Sequence, residues 1–154
     1  MRILYLVGWG YVAISAALIY RANNPERYTH THVTGTPIGS SSMQWFDQVR
    51  TRCNPVEVQL TLAQNPAPAG WEGQGYAAAC YALAGKIGHA QRRIDALPEK
   101  QRFQAADIVF NVGHPVADAG DDESAAPIME LVLRYWPNHY MALYHAGIAQ
   151  FRTN

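Results

Sequence analysis

Residues 103–120, FQAADIVFNVGHPVADAG, and residues 121–137, DDESAAPIMELVLRYWP, decide how this chain folds. In the first stretch apolar side chains return every three or four positions with small residues between them, the pattern of a helix with one buried side. Gly120 ends that helix, because a glycine just past the last turn takes the left-handed conformation that reverses a chain. Asp121 or Asp122 then caps a second helix, and Pro127 lies early enough in it to forgo an amide hydrogen bond that few residues there make. The spacing around this hairpin recurs. Gly113 and Gly147 are 34 positions apart, Gly85 and Gly120 are 35 apart, Ala90 and Ala125 are 35 apart, and Pro68 and Pro137 are 69 apart. A period near 34 residues marks an array of helix-turn-helix units. Such arrays present extended surfaces to other proteins and rarely perform chemistry.

Upstream, residues 71–84 are rich in alanine, with Tyr76, Ala77, Cys80, Tyr81 and Ala84 on adjoining helical positions before the turn at Gly85. Ile87, Ala90, Ile94 and Leu97 form the buried side of the returning helix, and Pro98 stops it. Small residues fall where two helices must touch: Ala78 and Ala90 in this hairpin, Gly113 and Ala125 in the next. Pro115 falls inside the first helix of the later unit and should kink it. A further helix, HYMALYHAGIAQF at 139–151, covers the core of the preceding hairpin as a cap. Earlier still, Trp45, Phe46, Val49 and Cys53 make one apolar stripe that Asn54-Pro55 ends. Residues 56–63, VEVQLTLA, alternate like a strand but stand isolated between two Asn-Pro pairs, so they are read as helix.

On these residues the stretch 71–154 resembles tetratricopeptide repeats. The pattern is Ala78-x2-Tyr81, Gly85 and Ala90-x3-Ile94 in one unit, then Gly113-x2-Val116, Gly120, Ala125-x3-Met129 and Pro137 in the next. Two departures stand out. Gln74, Val109 and Leu143 replace the early Trp of the repeat, and the first unit lacks the closing Pro and carries one extra residue. The resemblance implies an all-α solenoid with units near 43–69, 70–103 and 104–137 and a capping helix at 138–152. It also implies protein binding and assembly.

The amino-terminal end has a different character. Residues 3–20, ILYLVGWGYVAISAALIY, carry no charge, and as a helix of about 27 Å they match the hydrocarbon thickness of a bilayer. Arg2 and Arg21 bracket the run, and Tyr5 and Tyr20 sit where interfacial aromatics sit. A cleaved signal peptide is the competing reading, with Ser15, Ala16 and Ala17 near a cleavage point. We expect an uncleaved transmembrane anchor at 1–20 whose Gly10, Ala13 and Ala17 line one side and admit another helix. Flanking charge does not decide orientation, but a short amino terminus followed at once by an apolar run begins signal anchors, which places the helical domain on the periplasmic or extracytoplasmic side. Residues 21–42, with four Thr, three Ser, two Gly and two Pro, form a polar linker or extended arm. Gly39 and the serines after it serve there as a flexible turn and helix cap. His30 and His32 lack a third ligand and are solvated.

The chain's 12 basic and 12 acidic residues leave zero formal charge, so nucleic acid is not an expected partner. Cys53 and Cys80 form no CxxC pattern and are read as buried thiols, with a disulfide the alternative in an exported domain. The sequence carries no recognisable catalytic set, cofactor site or metal site. Asp118, Asp121, Asp122 and Glu123 lack the spacing of a calcium loop and suit a helix-capping turn. His114, Asp118 and Ser124 are hydrolase-triad types with no strand or oxyanion site around them. His139 and His145, six apart, do not share a close ligand face. The function expected is therefore that of a single-pass, non-catalytic accessory or scaffold subunit of a membrane protein complex, with an energy-transducing, respiratory or photosynthetic assembly as one candidate, contacting other membrane subunits and the lipid bilayer. A membrane-anchored, exported peptide-binding module is the second reading and a small enzyme the third. Aromatic anchors for partners are Trp71, Tyr81, Tyr135, Trp136, Tyr140 and Tyr144.

Overall fold

The structure, a computed structural model, describes residues 38–153. The expected anchor at 1–20 with Gly10, Ala13 and Ala17, and the arm as far as residue 37 with its two histidines, lie outside the described residues. Among the described residues the fold is all-α, without strands, and no helix is long and apolar enough to cross a membrane. Its helices are α1 (Ile38–Val49, continued by a 3-10 turn at Arg50–Arg52), α2 (Val58–Gln64) and α3 (Trp71–Leu83). There follow α4 (Ile87–Asp95), α5 (Glu99–Asp118), α6 (Asp122–Tyr135) and α7 (Tyr140–Thr153).

Successive helices pair as hairpins, α3 with α4 and α5 with α6, while α3 also lies along α5. Helices α1, α3 and α5 therefore form one layer, and α7 closes the far end by packing on α6. The helices approach one another closely because the touching residues are small. A Cβ on Gly75 of α3 would come within 2.9 Å of Ile108 Cδ1 and 3.2 Å of Ala105 Cα on α5. A Cβ on Gly113 of α5 would come within 2.6 Å of Ile128 Cγ2 on α6. Ala78 and Ala90 are both fully buried, as their expected place at the first hairpin's contact requires.

Both hairpin turns are built alike. Gly85 and Gly120 have φ of 68° and 80°, in the left-handed region. In the first turn Lys86 N donates to Tyr81 O and Gly85 N to Ala82 O; in the second Asp121 N donates to Val116 O and Gly120 N to Ala117 O. This paired closure satisfies the last carbonyls of each helix. Helix α5 runs on to Asp118 through Pro115, which occupies an exposed position.

Two expectations change. The polar stretch ending at residue 42 is helical from Ile38, and Ser42 is buried, so Gly39 and the serines form the first turns of α1 instead of a flexible turn. Packing of Phe46 and Val49 against α3 supplies stability that local propensity does not. Cys53 and Cys80 are a disulfide, not two thiols, with their Cα atoms 4.9 Å apart. The alanines around Cys80 explain this: Ala77, Ala78 and Ala79 bury almost completely and let the end of α1 come close to α3.

Candidate functional site

Helix α7 is apolar on two sides. Ala142, His145, Ala146 and Ala149 face inward, whereas Tyr140, Leu143, Tyr144 and Phe151 are 74%, 49%, 53% and 87% exposed. With Gly147 these outward residues return once per turn and make a single stripe. At Gly147 an added Cβ would meet nothing within 4 Å, while at Gly113, one repeat period earlier, it would collide with the next helix. The space beside Gly113 is thus filled, and that beside Gly147, 34 residues on, is open.

Of the six aromatic anchors expected, only Tyr140 and Tyr144 stand on this exposed stripe. Tyr81 is a core residue, 7% exposed, stacked on His89 with centroids 5.1 Å apart, and so offers no surface. Its place on the central helix α3, enclosed by neighbours on several sides, is the reason. Trp71 is half-buried against the core. Tyr135 donates its hydroxyl hydrogen to Asp95 Oδ1 at 2.8 Å. Burial, followed by that carboxylate, raises its pKa well above the ordinary phenol value. Trp136 lies between the rings of Phe103, at 4.3 Å, and His139, at 4.2 Å. Leu143 and Phe151 were missed as surface residues. Continuing the three-and-four spacing from Tyr140 along the helix would have found both.

A groove of about 370 Å³ opens on the layer of α1, α3 and α5, with Met43, Phe46, Tyr76, Ile108 and Val112 as its apolar lining and Asp47 and Arg50 as its charges. The Tyr76 phenol there is raised in pKa by burial first, then by Glu72 and Asp47.

The polar cluster lies between α5 and α7. His114 and Asp118, one helical turn apart on α5, approach to 3.4 Å between Nδ1 and Oδ2. Helix α7 brings His145, whose Nε2 is 3.8 Å from Asp118 Oδ1. Ser124 takes no part; its amide donates to Asp121 Oδ1 at 3.1 Å, the helix cap expected of that acidic turn. Asp122 pairs with Arg152 of α7. His139 has a structural task, accepting from Ala142 N on Nδ1 at 3.2 Å while its ring packs on Phe110 at 4.0 Å. Local spacing could not reveal the cluster, since His145 joins residues on a helix about 30 positions earlier and its sequence neighbour His139 points to other work. No protein-family model, curated protein or solved structure matches the chain.

Proposed function

We propose that this chain is a non-catalytic accessory subunit of a membrane protein complex, a short tetratricopeptide-like array carried on an amino-terminal anchor. The observation that carries the reading is the outward stripe of α7: Tyr140, Leu143, Tyr144 and Phe151 exposed around an open Gly147. Its occupant is a helix of a partner subunit, seated on Gly147 as α6 is seated on Gly113. Aromatic and leucine side chains flanking a glycine gap suit such close helix packing. Matching glycine turns 35 residues apart support the repeat reading. A disulfide between Cys53 and Cys80 suits an oxidising compartment, which supports an extracytoplasmic array.

The groove on the other layer favours a second reading, an exported module that holds an extended peptide against Met43, Tyr76 and Ile108. Extraction of the tagged full chain in mild detergent separates the two. A subunit brings down the same membrane proteins in fixed stoichiometry, and Gly147→Trp or Phe151→Asp releases them while circular dichroism stays unchanged. A mixed set of peptides, retained by those variants and lost on Ile108→Asp, points to the peptide-binding module instead. If nothing copurifies above background, the subunit reading fails.

A further inference from the structure

We propose that His114, Asp118 and His145 bind a divalent first-row transition metal ion, for which zinc is the best match. The donor set is two imidazole nitrogens and one carboxylate oxygen, drawn from two helices, with one candidate ligand atom from each residue and all three within 4.8 Å of one another. Two imidazoles disfavour calcium and magnesium, which take oxygen ligands, and suit zinc and its neighbours. Zinc binds these donors at roughly 2.0–2.2 Å, so donor atoms around one ion lie about 3–4 Å apart. The pair distances of 3.4 Å and 3.8 Å to Asp118 already fall in that range. The third separation, between the two imidazole nitrogens, is no more than 4.8 Å, and a small turn of the His114 ring, a quarter exposed, closes it. Asp118, 58% exposed, has the room to follow.

The second observation is burial without partners. His145 is only 7% exposed, and its Nε2, which faces Asp118, makes no hydrogen bond. Buried polar atoms are normally satisfied, and at 3.8 Å the carboxylate is too far to hydrogen-bond His145. A cation between the two helices, bound through His114 Nδ1 and His145 Nε2, would satisfy the buried His145 nitrogen that the protein leaves bare. Contacts around the cluster hold the rings in place, with Phe110 stacked on His114 at 4.8 Å and Tyr144 edge-on to His145 at 5.2 Å. Three protein ligands leave a position open on the exposed Asp118 side for water or a donor from another molecule. The ion would join α5 to α7, the helix that bears the outward stripe, and so fix the angle at which the stripe is presented. The site stands on its own geometry and does not depend on the proposed function.

The test uses the full chain, stripped with chelator and titrated with zinc by calorimetry and with cobalt(II) by visible absorption. The expected result is saturation at one equivalent, a rise in Tm with zinc, and a loss of about 10–100-fold in affinity or more in Asp118→Asn and in His145→Gln. Asp118→Asn changes an exposed, nearly isosteric side chain, so it remains informative even if the buried His145→Gln variant folds poorly. A His30→Ala/His32→Ala variant should keep full affinity. The proposal is overturned if the chain takes up no zinc, or if Asp118→Asn binds as tightly as the parent. Loss of binding in the His30→Ala/His32→Ala variant alone overturns it as well.

Discussion

Tyr135 shows how a residue that looks like a partner anchor is committed inside the molecule. Its ring packs on the core and its hydroxyl crosses from α6 to Asp95 at the end of α4, joining the returning helices of two hairpins. Burial and the adjacent carboxylate favour the neutral phenol, so its folded pKa lies above the ordinary value of 10. A raised acid pKa means that the stabilisation is complete below pH 10 and is lost as pH climbs from there toward the folded value. We expect Tyr135→Phe to cost about 1 kcal/mol at neutral pH, the net worth of one hydrogen bond. Between pH 10 and 12 the variant should lose stability less steeply than the parent, as read by urea unfolding across that range. An equal slope would show that Tyr135 does not set it. Nothing in the sequence near Tyr135 announced this role. The partner lies 40 residues away, and only the packing of two hairpins brings it near.

Among the elements, the contact between first and returning helices rests on residues that lack side chains. Gly113 is buried with Ile128 against it, whereas Gly147 is exposed with nothing near it. Adding a methyl group should therefore have opposite effects at these two glycines. Gly113→Ala should destabilise by about 1–3 kcal/mol, since Ile128 is itself enclosed and cannot yield. Gly147→Ala should stabilise the isolated protein by roughly 0.5–1 kcal/mol through helix propensity. Equal costs at the two sites, measured by denaturant unfolding, would refute the assignment of α7 as a helix with an open side. The helices from residue 71 onward were readable because Gly85, Pro98, Gly120 and Pro137 punctuate strong apolar periodicity. The start of α1 was not, because Gly39 and three serines carry no helical signal and only the burial of Ser42, Phe46 and Val49 makes them helical. The pairing of Cys53 with Cys80 was unreadable for a related reason: it depends on how near α1 comes to α3.

At the scale of the described residues as a whole, successive hairpins pack mainly on their neighbours, so stability is close to a sum over neighbours and the ends are the weak points. The two ends are held differently. At the amino-terminal end α1 packs on α3 less extensively than α3 packs on α5, but the bridge from Cys53 to Cys80 ties it there across 27 residues. At the other end α7 lies along α6, to which Arg152 also pairs through Asp122, and reaches α5 through His145. Closing a loop of this length restricts the unfolded chain by roughly 3–4 kcal/mol. Removing it should act locally, because the central hairpins keep every other contact. We expect Cys53→Ser/Cys80→Ser to lower the unfolding free energy by about 2–4 kcal/mol, with reducing agent having the same effect on the parent and none on the variant. Hydrogen exchange should then speed up first in α1 and α2, while α3, α5 and α6 retain their protection. Uniform loss of protection along the chain would mean that the array unfolds as one unit and that the bridge stabilises all of it equally, which is not how a stack built from nearest-neighbour contacts should behave.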